Sequence, residues 1–402
     1  MSGYHANAFT KGSPLGRYVI KRFVQMVVLF LVFFALSWIA LQAIPGNSIE
    51  QQLRLNPNLP PEAITQALAR RGLDKPPLEQ FWIYTKNFFT GDLGVSWSRY
   101  PQPVSKLIAE RLPRTVMLFS VALLFQYLIG FQAGKYLAWR RNKRGEIAIT
   151  IAGVSLFTVF YPWFGLMMIL LFAVKLGWVP TNGFIVEATW RDAPVSANHV
   201  MVVMFFSLLA VTAFIGLTSW ASSRLDRPNQ RRLVKIGAWV VGLGGFWLFW
   251  ATNKYLVYAK DVAIHLVLPV SVLTMVGFAG VMLITRTSML ETMKEDFVTT
   301  ARAKGLSEAM VRDRHAARTA LLPVSTSLVL AVATVIDGGI ITESVFGWPG
   351  MGQLLLASVV SEDIPVALAA FSFTGILALL GHFAADILYG VLDPRIRVTS
   401  QG

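Results

Sequence analysis

Among the stretches of this 402-residue chain that run for about 18 residues or more without a Lys, Arg, Asp or Glu, eight read as spans: 23–49, 115–134, 147–174, 193–223, 236–253, 262–285, 319–336 and 364–385. A helix needs about 20 apolar residues to cross the hydrocarbon core of a bilayer, and each stretch meets that length. Within that core a segment must satisfy its own backbone polar groups, so such stretches fold as helices. Charged residues make up only 14% of the chain, against roughly 25% in soluble domains. A soluble globular enzyme, a disordered chain and a secreted disulfide scaffold are excluded. The expected fold class is an all-α polytopic membrane protein with eight spans. There is no cysteine, which removes thiol chemistry and Cys-ligated metal.

The net charge of +14 would suggest nucleic acid in a soluble protein. Here the placement of the charges decides. Lys11, Arg17, Lys21 and Arg22 precede the first window; Arg140, Arg141, Lys143 and Arg144 follow the second. Arg224, Arg227, Arg231, Arg232 and Lys235 separate the fourth and fifth, and a further basic run spans 286–318. Alternate intervals are poor in Lys and Arg, with none across 343–364. The exception, 45–114, carries nine basic residues but exceeds the roughly 60-residue loop length over which the positive-inside rule operates. Both termini are therefore expected in the cytoplasm, with 45–114 as a folded external segment. The basic residues face anionic lipid, and no nucleic acid partner is expected.

The chain lacks G-x-x-x-x-G-K-[ST], H-E-x-x-H and G-x-S-x-G, and its five histidines are scattered. Gly130 and Gly134 form a G-x-x-x-G, a helix-packing face. With no energy-coupling or catalytic motif of its own, the chain needs a partner to supply the energy for any work.

Residues 286–320 form the one basic interval too long and too helical for a plain connector. Gly305 divides it, and Ser307 is suited to cap the helix that follows. Ala301, Ala303 and Gly305 are small enough to admit a close neighbour. An amphipathic helix on the membrane surface would also fit this composition.

The run TARAKGLSE (300–308) followed by RHAARTALLP (314–323) resembles the coupling motif of ABC-importer permeases of the oligopeptide, dipeptide and nickel class. GDLGVSW (Gly91–Trp97), PVSKLIAERLPRT (Pro103–Thr115), FAVKLGWVPTNG (Phe172–Gly183), HLVLP (His265–Pro269), ITESVFGWPGMGQLL (Ile341–Leu355) and DILYGVLDPRIR (Asp386–Arg397) match other parts of that family in order. The resemblance implies a six-helix type I permease core in a bacterial or archaeal cytoplasmic (inner) membrane. It implies a second permease subunit, two cytoplasmic ATP-binding subunits that hold ATP and Mg, and an extracytoplasmic solute-binding protein. This chain itself would bind no cofactor. Glu295, Asp296, Ala301, Arg302, Ala303, Lys304, Gly305, Leu306, Arg314, His315 and Pro323 would form the contact with the ATPase. Thr299 stands where the general motif has glutamate, which bears on contact detail.

On this reading the chain divides into 1–44 (N-terminus and first helix), 45–114 (external segment), 115–183 (second and third helices), 184–262 and 263–402 (core with coupling loop). The stretch 184–262 is an insertion carrying an accessory hairpin, which either faces lipid or docks an extra subunit. Asp337 within the seventh span either faces water near its outer third or lines the pathway. Glu343 and Trp348 would border the pathway in a re-entrant segment, although Trp348 could equally be an interfacial anchor. Lys135 is expected to snorkel to headgroups, and His382 to pair with Asp386. A secondary transporter or channel would need internal inverted repeats, and none is evident. A membrane enzyme would need clustered His, Asp or Glu in its spans, which the sequence lacks.

Overall fold

The computed structural model describes residues 14–42, 62, 76–141, 144–222, 228–334 and 339–392. Asp337, the basic residues 224 and 227, most of 45–75 and the C-terminal 393–402 lie outside the described residues.

Seven described helices are long and apolar enough to cross a membrane: α1 (Pro14–Gln42), α3 (Val104–Trp139), α7 (Ala197–Ser222), α8 (Pro228–Thr252), α9 (Leu256–Thr292), α11 and α14 (Ile364–Leu392). Helix α11 runs as Glu308–Met310, a π-helical stretch Val311–Ala316, and Ala317–Thr334. The third charge-free window does not form one straight span. It splits into α4 (Arg144–Thr158) and α5 (Tyr161–Met168, continued as a π-helix Ile169–Lys175), with a bend of 104° between the halves. Phe160 is extended, and Pro162 stands in the first turn of α5. Proline has no N–H to donate, which costs nothing in the first turn of a helix, where that N–H has no intrahelical partner. Counting the bent pair as one span gives the expected eight.

Helices α3 and α9 form the axis of the molecule and share its most extensive contact. Their crossing is set by the G-x-x-x-G. A Cβ at Gly130 would lie 2.7 Å from the Phe278 carbonyl oxygen, and one at Gly134 would lie 2.5 Å from that of Met282. Only glycine lets the two backbones come this close. At 36 and 37 residues, α3 and α9 are each about 54 Å long at 1.5 Å per residue, well beyond a hydrocarbon core of about 30 Å. Both therefore protrude from the bilayer. Helix α3 begins at Val104, inside the stretch expected to be external loop.

Around this axis α1 packs on α14, and α11 packs on α9 and α14. The external segment contributes α2 (Pro77–Thr90), whose Phe81, Tyr84 and Phe88 meet Phe34 of α1, with Phe34 and Tyr84 stacked at 5.2 Å. In the insertion, α7 is joined to the core: Met201 shares a buried cluster with Leu118, Val262 and Trp348. Helix α8 rests mainly on α7. The expected pairing of His382 with Asp386 is replaced by two other contacts. Asp386 meets Arg22 of α1 at 3.4 Å, while His382 Nδ1 lies 2.8 Å from the Ala378 carbonyl. The ion pair to another helix wins over the neighbour one turn away.

Candidate functional site

Two constellations hold the polar side chains that the sequence singled out. One lies at the end that the charge pattern places inside, the other at the opposite end.

At the inner end α9 continues past its window to Thr292, and a short helix, α10 (Asp296–Ala303), separates it from α11. Glu295 is extended ahead of α10, and Asp296 and Glu295 sit at the positive end of the helix dipole. Gly305 has φ +74°, a left-handed conformation costing other L-residues roughly 1–2 kcal/mol. Ser307 then caps the next helix, its side-chain oxygen accepting from the Met310 N–H at 3.4 Å. The expected break and cap are both present.

Helix α10 has two faces. Val298 and Ala301 are buried in a cluster with Ala138, Met289, Val311, Ala316, Ala317 and Ala320. Glu295, Asp296, Phe297, Arg302, Ala303, Lys304 and Gly305 are exposed on the other side. Ala301 therefore cannot admit a foreign surface, because its methyl already fills this chain's own core. Leu306 is half-buried and packs against the same cluster. In α11, Arg314 and Pro323 are exposed and His315 is half-buried.

This unit is anchored to the end of α3. The guanidinium carbons of Arg302 and Arg312 lie 5.6 and 6.0 Å from the Trp139 ring centroid. Arg312 is held in turn by a bidentate pair with Asp313, at 3.0 and 2.8 Å. Lys135 does not reach for headgroups; its Nζ meets Asp313 at 3.1 Å. The Asp313 carboxylate satisfies the ammonium directly. On the neighbouring side, Arg286 of α9 donates to the buried Glu146 of α4, with Nε at 3.0 Å.

At the far end, Glu343 lies in α12 (Ile340–Val345), just ahead of α13 (Met351–Val360). It is fully buried. Its carboxylate accepts from the Thr115 hydroxyl at 2.7 Å and from the Gln353 N–H at 2.9 Å, while Thr115 accepts from the Met351 N–H at 2.8 Å. Glu343 and Thr115 thus satisfy the first amides of α13, which have no intrahelical partner. The carboxylate lies against Gly350, where any Cβ would collide with it. Trp348 is also fully buried; it donates Nε1–H to the Arg114 carbonyl at 3.1 Å and meets Phe184 edge-on at 5.1 Å. The expectation that Glu343 and Trp348 border a solute pathway is not met within this chain. Their polar atoms are committed to the Thr115 hydroxyl and to backbone groups of this chain, so both lock the α12–α13 segment onto α3.

Several contributors went unnoticed in the sequence. Asp363, just before α14, is buried and accepts from the Ser96 hydroxyl, the Trp97 N–H at 3.1 Å, the Ser98 N–H at 3.0 Å and the Ser98 hydroxyl at 2.7 Å. Its position as the last charge before a window was the available signal. Arg114 Nε donates to Asn198 of α7 at 2.7 Å, which ties the insertion to the core, and Asp261 at the start of α9 accepts from the indole of Trp190, the last residue of α6 (Glu187–Trp190), at 2.7 Å. Asp363→Ala would strand buried donors at about 1–3 kcal/mol each. The expected result is a lower thermal midpoint for the detergent-solubilised subunit and faster proteolysis within 91–103. An unchanged midpoint would contradict the assignment.

Helices of this length, crossing at a glycine face and carrying a short half-exposed helix anchored at one end, define a polytopic membrane protein. The chain matches the family described as binding-protein-dependent transport system inner membrane component over residues 126–398, and its N-terminal companion over 15–119. It belongs to that family. It is 31% identical over 383 residues to the di/tripeptide transport system permease protein DppB of Pseudomonas aeruginosa, covering 94% of this chain and 98% of that one. It is 29% identical over 382 residues to the oligopeptide transport system permease protein AppB of Bacillus subtilis, covering 95% and 99%. It is also 29% identical over 385 residues to the dipeptide transport system permease protein DppB of Escherichia coli, covering 95% and 98%.

Proposed function

We propose that this chain is the transmembrane permease subunit of an ATP-driven importer that moves di- or oligopeptides, or similar small solutes, by alternating access. The observation that carries the reading is α10: a short helix between two long ones, exposed on one face and fixed to α3 on the other. A helix held this way passes a push from outside the membrane into the bundle. The names of the relatives support peptides as the solute class.

On this reading two cytoplasmic ATP-binding subunits hold ATP and Mg and seat the exposed face of α10. A second permease subunit completes the pathway, and a solute-binding protein docks at the far end, with both termini cytoplasmic. Phe297, 41% exposed in the first turn of α10, is the apolar anchor of the ATPase contact, and Ala303 gives the close approach. Asp337, outside the described residues, is proposed to face the pathway.

The test is co-purification of the ATP-binding subunits with the tagged chain. Phe297→Asp and Ala303→Trp are expected to weaken retention about tenfold, as loss of an interface anchor does, without changing the thermal midpoint of the subunit. Full retention in both variants would contradict the proposed contact.

A further inference from the structure

Between α7 and α8 lies an apolar cleft of about 340 Å³, within the roughly 300–1,000 Å³ range of ligand clefts. Ser207, Val211 and Phe214 line it from α7, and Gly242, Gly245 and Phe249 from α8. The Trp250 indole donates to Ser207, one of the lining residues, at 3.3 Å and ties the two helices together beside it. Gly245 leaves the wall open, since a Cβ there would meet nothing within 4 Å.

The register of α8 aligns this cleft with positive charge. At 3.6 residues per turn, Arg231 and Lys235 fall on the same face as Gly242, Gly245 and Phe249, towards the inner end, and Arg232 flanks them. Lys235 and Arg232 are exposed. From Lys235 to Gly245 the helix rises about 15 Å, the thickness of one leaflet of hydrocarbon. The α8 lining of the cleft, from Val241 to Phe249, covers about 12 Å and begins about 9 Å beyond Lys235, so an acyl chain whose phosphate sits at the cations reaches into it, which is complementary to an anionic amphiphile. A neutral lipid would leave those charges unused.

We infer that the α7–α8 insertion binds an anionic phospholipid of the inner leaflet, with one acyl chain in the cleft and the phosphate beside Lys235 and Arg232. This gives the insertion a ligand of its own. The inference rests on membrane embedding and on the charge-based orientation, and is independent of which solute is carried.

The assembled transporter, delipidated in detergent, is offered equal amounts of phosphatidylglycerol and phosphatidylcholine with matched chains, and retained lipid is counted by native mass spectrometry. The expected result is preferential retention of phosphatidylglycerol. Lys235→Gln and Arg232→Gln should each reduce it about fivefold, and Gly245→Leu, which fills the cleft, should reduce retention of either lipid. Equal retention of the two lipids by the unaltered protein would overturn the inference, as would unchanged retention in all three variants. A photoreactive residue at position 245 that captures a membrane polypeptide in place of lipid would also overturn it.

Discussion

Trp139→Ala is expected to leave the subunit folded and assembled while cutting the solute moved per ATP hydrolysed about tenfold. The indole is the point where α10 and α11 grip the end of α3, with Arg302 and Arg312 both within 6.0 Å of its centroid. Each cation–π contact at a partly exposed site contributes about 0.5–1 kcal/mol. Together they supply about 1–2 kcal/mol, within the range of coupling free energies between sites. The Lys135–Asp313 pair adds little, because its side chains are 18% and 40% exposed and solvent screens it. Trp139→Phe keeps an aromatic face and should restore most of the coupling, whereas Trp139→Leu fills space without it and should not. Uptake and ATP hydrolysis measured together in vesicles separate the outcomes. Equal performance of the Phe and Leu variants would reduce Trp139 to a packing residue.

Gly134→Leu should act on the fold itself. A Cβ there would lie 2.5 Å from the Met282 carbonyl oxygen and 2.6 Å from Thr285 Cβ. Neither obstacle is the end of a flexible side chain, so α3 and α9 must separate. Overpacking a core typically costs 1–3 kcal/mol, and displacing the two longest helices is expected to exceed that range. The expected outcome is a severe loss of folded protein in the membrane, followed by fluorescence size-exclusion chromatography. Gly216→Ala is the contrast, because a Cβ there meets nothing within 4 Å and alanine favours helix by about 1 kcal/mol. Wild-type yield from Gly134→Leu would mean that the α3–α9 crossing is not as close as described.

The spans were legible because the bilayer demands long uncharged runs, a demand that local sequence satisfies alone. The break at Gly305 and the cap at Ser307 were legible for the same local reason. What escaped were contacts between segments far apart in the chain. Nothing near Lys135 announces Asp313, and nothing near Thr115 announces Glu343. Lys135 was therefore assigned to lipid from its place at the end of a span, and Glu343 to the pathway from the family resemblance of its segment. The bend at Phe160 was hidden differently. Pro162 was visible, but the windows count charges, and a proline does not interrupt such a count. Ala301 shows a third limit: a small residue reads alike whether it admits a partner or packs inward, and only the helix register assigns it to the buried face.

The central claim is that this chain moves solute only when driven through α10. The direct measurement is uptake of a labelled peptide into proteoliposomes holding the complete assembly, with both partner ATPases carrying their catalytic glutamate replaced by glutamine. The account predicts that uptake falls to the level of empty vesicles while the complex remains intact. Sustained uptake against a concentration gradient under those conditions would contradict it and make the chain a transporter in its own right.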